Sequence, residues 1–279
     1  MNQIKIGNKI IGTGKPVFYI AEAGVNHNGS LKIAKKLVDI AVDCGADAVK
    51  FQSFLADEII IPKGPKANYH IQTTGSDKTQ SWYELLKSQE MSKRMHLNLI
   101  NYCKKKKIIF LSTPYDTKSA DLLDTLRVKA YKVASTDNDN YPFIEYLAKK
   151  KKPLIISTAM ASLKDVEYVY ALLKKKKFHN FAFLQCTGNY PSKLEDSNLS
   201  VISLYKEKFN CPIGLSDHTQ DDISIITAVG LGAKIIEKHF TLNKKLYGPD
   251  HRMSLSPLEL KESIVKVRLA EKSLGKKNK

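Results

Sequence analysis

The sequence predicts a (β/α)8 TIM barrel with a short N-terminal hairpin, and three observations carry the prediction. Short apolar runs typical of buried strands alternate with segments of helical period eight times within 279 residues. Nearly every apolar run is followed at once by a polar residue, as in barrels whose functional groups gather at the carboxyl ends of the strands. No linker separates the units, so residues 1–279 are expected to form one domain. Repeated β-then-α units build parallel sheets, and a doubly wound open sheet is the alternative.

The elements follow in order along the chain. Residues 3–12 are expected to form a hairpin around Gly7 and Asn8, a minor cap on the barrel. The first strand is predicted at 17–21, and its helix begins after Ser30, a good N-cap, and stops at Gly45. The other strands are predicted at 46–51, 108–111, 130–133, 154–156, 181–184, 212–215 and 234–239. The other helices are predicted at 92–105, 118–126, 142–150, 162–174, 198–208, 223–231 and 256–274.

The connection after the second strand is unusually long. Residues 54–88 contain Pro62, Gly64, Pro65 and Gly75 among scattered Lys and Thr, a composition typical of a loop. Loops of this length in compact domains usually carry function. We therefore expect a long functional loop here.

The formal charge of +17 is concentrated in three lysine runs, 104–107, 149–152 and 174–177. Each run closes a predicted helix, where lysine complements the helix dipole, and each falls on the barrel face opposite the functional one. Aromatic residues do not interleave with the lysines and arginine-rich stripes are absent from the sequence, so we expect no nucleic-acid partner.

The sequence also indicates a cytoplasmic protein without a membrane partner. The N-terminus lacks the apolar core of a signal peptide, and no stretch approaches membrane-spanning length. The four cysteines are widely spaced and form no C-x-x-C pair, so disulfides and a thiolate zinc site are not expected.

Two histidines close the last two predicted strands, which would be neighbours in the barrel. His218 follows the seventh strand and His239 ends the eighth. Glu237 lies two residues before His239, so both side chains project to one face, where burial would cost too much without partners or a function. Taken singly, each histidine would more often be a packing residue. Together they predict a site for a borderline divalent metal such as Mn or Zn.

Lysines and serines follow other strand ends, at Lys50, Lys132, Ser135, Ser157 and Ser216. A ring of cations and hydroxyls suits a phosphate or a phosphorylated carboxylate. The sequence has neither a P-loop nor a dinucleotide-binding fingerprint, so a nucleotide cofactor is not expected. The alternative for the serines is that they cap helices at the barrel rim.

Glu22 ends the first strand and could act as a general base. A salt bridge to Lys50 is the alternative, and the two interpretations are compatible. By contrast, His96 and His179 are expected at the surface, on a helix or loop.

Several distinctive motifs follow one another along the chain, each occurring once. They are A-E-A-G-V-N-H-N-G at 21–29, A-D-A-V-K-F-Q at 46–52, S-T-P-Y-D at 112–116, C-T-G-N-Y-P at 186–191, G-L-S-D-H-T at 214–219, E-K-H-F-T-L at 237–242 and G-P-D-H at 248–251. In this order they are similar to the sialic acid (N-acetylneuraminate) synthase family, and the likeness covers essentially the whole chain.

The resemblance implies a metal-dependent transferase that condenses phosphoenolpyruvate with an open-chain N-acetylmannosamine-type sugar, giving a nonulosonic acid and phosphate. It implies a divalent metal, Mn first with Mg and Co as alternatives, on His218 and His239. It implies phosphoenolpyruvate contacts at Lys50, Lys132, Ser135, Ser157 and Ser216. It implies sugar contacts at Gln52, Tyr190 and Asp250, Glu22 as the base that activates water, and Glu237 beside the metal and the aldehyde.

Two departures from the family accompany the resemblance. Family members commonly continue into a small antifreeze-like domain that, in a dimer, lends an arginine to the partner's sugar site. This chain stops at Lys279, so we expect that C-terminal domain to be absent, with altered recognition of the acyl group or supply of the domain by another chain. A homodimer is a further expectation. Gly188 stands where relatives often have Asn or Ser, which puts one polar contact in doubt.

The sequence leaves two alternative functions. A related enzyme could condense phosphoenolpyruvate with an aldose phosphate, but residues 54–80 lack an arginine-rich phosphate clamp. A non-catalytic barrel paralogue is the other alternative, and the intact set of charged residues argues against it. The sugar itself stays open between N-acetylmannosamine and the diacetamido-trideoxy hexoses.

Overall fold

The computed structural model describes residues 3–275 and confirms the predicted barrel. Within that range eight parallel strands close on themselves, each pairing with the next along the chain and the last with the first. An antiparallel hairpin precedes them, made of β1 (Ile4–Ile6) and β2 (Lys9–Ile11). The barrel strands are β3 (Phe18–Gly24), β4 (Ala48–Ser53), β5 (Ile109–Pro114), β6 (Tyr131–Val133), β7 (Leu154–Ser157), β8 (Phe181–Cys186), β9 (Ile213–Asp217) and β10 (Ile235–His239).

Helices surround the barrel, and all except α2, α3 and α4 lie at the predicted places. They are α1 (Leu31–Asp43), α2 (Ala56–Ile59), α3 (Asn68–Thr74), α4 (Trp82–Gln89), α5 (Lys93–Lys106), α6 (Thr117–Thr125), α7 (Tyr141–Lys149), α8 (Leu163–Lys175), α9 (Ser200–Lys208), α10 (Ile223–Gly230) and α11 (Pro257–Ser273). The Ser30 hydroxyl oxygen accepts a hydrogen bond from the backbone N–H of Ile33, as an N-cap does. The three lysine runs lie at the carboxyl ends of α5, α7 and α8. Among residues 3–275, no helix is long and apolar enough to cross a membrane.

Side chains alternate along each strand between the barrel interior and the surrounding helices, and this alternation places the site. In β3, Tyr19 and Ala21 pack outward with the helices, whereas Phe18 and Ile20 pack inside the barrel. Glu22 continues the inner row and is buried. The same change from apolar to charged occurs in β4, where Lys50 follows Ala48 on the inner row. The barrel interior is therefore apolar where the strands begin and polar where they end.

The hairpin is more than the minor cap that the sequence predicted. Ile4, Ile6 and Ile11 are at most 2% exposed, and they pack with the inner residues at the strand beginnings, such as Phe18 and Ile235. Burying aliphatic side chains of this size stabilises a fold by about 1.5–3 kcal/mol each. The hairpin thus plugs the apolar end of the barrel and leaves the polar end open.

The prediction of a loop over residues 54–88 was wrong, because three helices, α2, α3 and α4, lie within it. Ser81 begins α4 with a capping box, in which its hydroxyl accepts from the backbone of Glu84 and the Glu84 carboxylate accepts from the backbone of Ser81. Apolar side chains from the segment form a separate cluster with the turn after β3, including Val25, Phe54 and Leu86. This packing fixes the segment as a wall over the open end.

Candidate active site

A buried cluster of two lysines and two carboxylates occupies the polar end of the barrel. The Lys50 Nζ lies 2.9 Å from Glu22 Oε2 and 3.7 Å from Glu237 Oε2. The Lys132 Nζ lies 3.8 Å from Glu237 Oε1. Each of the four residues is at most 4% exposed. The strand register produces the cluster, because Glu22 is paired with Lys50 across β3 and β4.

The pKa values of these groups result from burial and from the charges of neighbouring groups. Burial raises the pKa of Glu22 to about 7, with Lys50 opposing the rise and Glu237 adding to it. Burial also acts on Glu237, but Lys132 and Lys50 hold the pKa of that carboxyl below its usual range. Burial lowers the pKa of Lys132, against the pull of Glu237. Glu22 thus has a pKa near neutrality, whereas Glu237 stays ionised. In such a pair the first carboxyl can act as a general base and the second can stabilise charge.

The two predicted metal ligands face each other at the edge of this cluster. The imidazole centroids of His218 and His239 are 5.6 Å apart. The Nδ1–H of His218 donates to the Thr187 carbonyl at 2.7 Å, which leaves its Nε2 lone pair free for a ligand. In the described part of the chain the buried His239 Nδ1 has no hydrogen-bond partner, and it lies 3.9 Å from Asp250 Oδ2. Burial keeps the pKa of His239 well below its ordinary value, so this imidazole is neutral.

These two imidazoles fit a divalent metal as a partial ligand set. Such an ion requires a neutral ring with an unpartnered nitrogen, and burial keeps His239 in that state. Burial also acts on His218, but the neighbouring Cys186 and the Thr187 carbonyl raise the pKa of that imidazole, so an ion there would take the place of its Nε2 proton. The hydrogen bond to the Thr187 carbonyl orients the His218 ring as in established metal sites. Residues 3–275 contain no group of three or more His, Cys, Asp and Glu side chains arranged to hold an ion. The metal and its identity therefore both stay predictions.

Four of the predicted residues line one cavity of about 250 Å³, namely Gln52, Tyr190, His239 and Asp250. The Tyr190 ring stacks on His218 with centroids 4.1 Å apart. Burial raises the pKa of Asp250 to about 6, although the charges of His218 and Lys50 oppose the rise. The predicted sugar contacts and one predicted metal ligand thus share one cavity.

Gly24 lies beside two side chains that line the cavity and was not predicted as a site residue. A Cβ added there would lie 3.4 Å from Asp250 Oδ2, 3.4 Å from Glu22 Oε1 and 3.6 Å from Gln52 Nε2, which are ordinary contact distances. Its φ of +52°, however, is one that other residues rarely adopt. The backbone conformation, and not the space around it, therefore favours glycine here.

The predicted serine ring is only partly assembled. The Ser216 hydroxyl donates to Glu237 Oε1 at 3.0 Å and so joins the charged cluster. Ser135 lies at the start of a 3-10 turn after β6, and its oxygen accepts from the backbone N–H of Ala159 at 3.0 Å. Ser157 ends β7, and among the described residues its buried hydroxyl has no hydrogen-bond partner. Ser216 therefore touches the charged cluster directly, whereas Ser135 contacts a neighbouring loop.

Sequence reasoning missed several polar residues that support the site. The Lys50 Nζ donates to the Thr113 hydroxyl at 3.0 Å on the neighbouring strand. Lys238, on the outer face of β10, donates at 2.5 Å to Asp217 Oδ2 and at 2.5 Å to the Thr219 carbonyl, so it ties down the backbone on both sides of His218. The sequence did contain a signal for Lys238. This lysine lies between Glu237 and His239, so the alternation of β10 places it on the outer face, which is expected to be apolar.

The expectation of a surface position for His96 was wrong. The side chain is 1% exposed, and its Nε2 lies 2.7 Å from the Ser53 hydroxyl oxygen. Ser53 and Ser112 are hydrogen-bonded neighbours on the outer side of β4 and β5, and they supply the polar partners that let a histidine be buried under α5. His179, by contrast, is exposed as expected.

Comparison with known proteins places this barrel among the nonulosonic acid synthases. The chain belongs to the NeuB family, whose sequence profile matches residues 37–279. It is 44% identical over 263 residues to the N,N'-diacetyllegionaminic acid synthase of Campylobacter jejuni, covering 94% of this chain and 78% of that protein. It is 39% identical over 266 residues to the human N-acetylneuraminate-9-phosphate synthase, covering 95% and 73%.

A solved structure shows the same fold. The N-acetylneuraminic acid (sialic acid) synthetase of Leptospira borgpetersenii, crystallised with citrate, superimposes with a TM-score of 0.87 at 35% sequence identity. The match covers 99% of this chain and 91% of that one. The resemblance and the fold predicted from the sequence are both confirmed.

Proposed function

We propose that this protein condenses phosphoenolpyruvate with an open-chain N-acetylmannosamine-type sugar, releasing phosphate and forming a nonulosonic acid. The observation that carries the proposal is the buried cluster of Lys50, Lys132, Glu22 and Glu237 beneath a cavity that contains His239. Buried charges of this number are retained where they have partners or a chemical role. Relatives named as legionaminic, pseudaminic and N-acetylneuraminate-9-phosphate synthases support the same reaction class.

Lys50 and Lys132 are proposed to bind the anionic groups of phosphoenolpyruvate. Both ammonium groups are buried and lie within 4 Å of Glu237. The Glu237 carboxylate keeps them in position to bind an anionic ligand. Charged hydrogen bonds in a water-excluded site are stronger than in solution, so two lysines suffice to fix a phosphate and a carboxylate. The hydroxyls of Ser135, Ser157 and Ser216 are proposed as further donors.

Glu22 is proposed to take the proton from the water that completes the reaction. The methylene carbon of phosphoenolpyruvate bonds to the aldehyde carbon, whose carbonyl π bond breaks, and the aldehyde oxygen takes up a proton to become a hydroxyl. The carbon that bears the phosphate ester then takes the water oxygen. This carbon next loses its hydroxyl proton and its bond to the phosphate oxygen, so that phosphate leaves and a keto group forms. A carboxyl whose pKa is about 7 is well matched to accept that proton near neutral pH.

His218 and His239 are proposed to hold a divalent ion, Mn first with Mg and Co as alternatives. When bound there, the ion supplies Lewis-acid polarisation of the sugar's aldehyde oxygen. Tyr190, stacked on His218, and Asp250, beside His239, are proposed to orient the sugar chain, together with Gln52.

The test is release of inorganic phosphate from phosphoenolpyruvate by the purified chain. The sugars are N-acetylmannosamine and diacetamido-trideoxy hexoses, each with Mn²⁺, Mg²⁺, Co²⁺ or EDTA, and the product is identified by mass spectrometry. We expect release that needs both a sugar and a metal, is abolished by Lys132→Met and is unchanged by Lys175→Met on the exposed side of α8. Release that is independent of sugar, or absent with every sugar, would overturn the proposal and favour a non-catalytic barrel.

The proposed homodimer is checked separately by gel filtration with light scattering. A monomer that still turns over both substrates would show that the site is complete within one chain.

A further inference from the structure

The amino-terminal end of the barrel carries a groove that the proposed mechanism does not use. It has a volume of about 960 Å³ and lies between the hairpin, the end of α5 and the starts of β5 and β6. Its floor is apolar and includes Ile109, Leu126 and Val128. Five exposed basic side chains form its rim, namely Lys5, Lys104, Lys107, Arg127 and Lys129. We call the space between this floor and this rim the basal groove.

The rim cations come from separate elements of the fold. Lys104 and Lys107 lie at the carboxyl end of α5, and Arg127 follows α6, so these three complement helix dipoles. Lys5, in contrast, lies within β1, and Lys129 precedes β6. The helix dipoles therefore do not account for all five cations around one groove.

No acidic group compensates the charge of the basal groove. Among residues 3–275, no carboxylate lines it and none of its five cations makes an ion pair. A second groove at the same end, of about 990 Å³, also has five basic residues but contains Asp47 and Glu271. There the Lys9 Nζ lies 2.6 Å from Asp47 Oδ1, and Arg268 lies 3.0 Å from Asp47 Oδ2 and 2.8 Å from Glu271 Oε2. Of these two grooves, the basal groove is thus the one left without counter-charges.

The other lysine runs on this face are partly neutralised. The Lys150 Nζ lies 2.5 Å from Asp121 Oδ1, and the Lys176 Nζ lies 3.1 Å from Glu145 Oε2. Uncompensated positive charge is therefore concentrated at one groove. A nucleic-acid strand needs a stripe of cations that follows its backbone, whereas a single groove suits a small anion.

We propose that the basal groove binds a small molecule that carries two or more negative charges on an apolar ring, the chemistry of a nucleoside diphosphate. The rim cations bind its phosphates as point charges, which requires no P-loop. The faces of the ring pack on Ile109, Leu126 and Val128. Asn8 and Asn101 also line the groove, and their amides can pair with the donors and acceptors at the edge of a nucleobase.

The experiment measures binding to the full chain by titration calorimetry and thermal melting. The probes are ADP, pyrophosphate, which lacks the ring, and adenosine, which lacks the charge. Lys104→Gln combined with Lys129→Gln removes two rim charges at exposed positions. Lys15→Gln combined with Lys272→Gln makes the same change in the second groove and is the matched control. Lys132→Met tests whether ADP binds instead at the buried charged cluster.

We expect wild type to bind ADP at least about tenfold more tightly than pyrophosphate or adenosine, because the groove offers both cations and apolar surface. The Tm should rise with ADP concentration, since a ligand that binds only the folded chain stabilises it. The rim double variant should weaken ADP binding by at least about tenfold. The second-groove double variant and Lys132→Met should each change it by less than about twofold.

Three results would overturn the inference. They are absence of ADP binding, affinity for pyrophosphate equal to that for ADP, and loss of ADP binding in Lys132→Met with retention in the rim double variant. A single-stranded oligonucleotide that binds the rim more tightly than ADP would also overturn it, because that result indicates an extended nucleic-acid surface.

Discussion

Replacing Lys238 with methionine removes a buried cation while keeping most of the side chain's length and volume. Lys238 is 1% exposed, and its Nζ donates to Asp217 Oδ2 and to the carbonyls of Thr219 and Asp221. These acceptors lie on both sides of His218 in the chain. The variant therefore leaves one buried carboxylate and two carbonyls without their donor.

The expected loss of stability follows from these contacts. Removing one partner of a buried ion pair costs about 3–5 kcal/mol. Asp217 keeps two hydrogen bonds from Thr219, one from its backbone N–H at 3.1 Å and one from its hydroxyl at 2.9 Å. The lower end, about 3 kcal/mol, is therefore expected. With an unfolding entropy of about 2 cal/mol/K per residue, that loss lowers Tm by roughly 5 °C in a chain of this size.

Calorimetric or circular-dichroism melting measures this shift, and two controls sharpen it. Lys87→Met makes the same change in an exposed ion pair with Asp57 and should leave Tm unchanged. Adding Asp217→Asn to Lys238→Met removes the uncompensated charge, so the double variant should lose less stability than the two single variants summed. A single-variant loss below about 1 kcal/mol, or additivity within about 0.5 kcal/mol, would refute the reasoning. Variants that fold should also show reduced phosphate release, because the backbone around His218 is no longer held.

Three further outcomes are expected. Gly24→Ala should raise KM for the sugar, because its φ of +52° is strained for alanine and relief of that strain would shift backbone next to Asp250 and Gln52; steady-state kinetics with unchanged KM would contradict this. Burial lowers the pKa of His27 to about 4, so the unfolded chain binds a proton that the folded chain does not as pH falls from about 6.5 to 4. The free energy of unfolding should therefore fall by about 3 kcal/mol over that window, and more weakly in His27→Gln, as denaturant titrations at several pH values would show. Lys132→Met removes one of the two lysines that lie within 4 Å of Glu237 among residues 3–275. It should lower kcat/KM for phosphoenolpyruvate by at least about a hundredfold, and a smaller loss in phosphate-release kinetics would show that Lys132 does not bind the anion.

The strands could be predicted because each apolar run is long enough to be buried on both faces. The residues at which the strands end could not be predicted, because polar residues such as Glu22 and Lys50 continue the strand pairing beyond the apolar run. The prediction of which groups meet was correct for Glu22 and Lys50, since neighbouring strands bring equivalent ends together. The register shift between Glu22 and Gly24 has no signal in a single sequence.

The segment after β4 shows where local signals fail. Helices α2 and α3 span four and seven residues, too short for an amphipathic period, and the Pro and Gly residues around them indicate a loop. The position of these helices depends on packing with Val25 and on the hydrogen bond that the Tyr247 hydroxyl donates to the Thr74 carbonyl. Val25 and Tyr247 both lie outside this segment of the sequence.

The isoleucine plug has a consequence for how this barrel can change over time. It adds buried apolar packing at the end of the barrel opposite the charged cluster, whereas helices α2 and α4 pack through a separate cluster over the mouth. Proteins tolerate new substitutions only while their stability exceeds a threshold. Substitutions in α2 and α4 draw on stability that the plug helps to supply and do not disturb its packing. The segment over the mouth can therefore change while the barrel keeps its fold, and strengthening the plug first should widen the range of replacements that still fold.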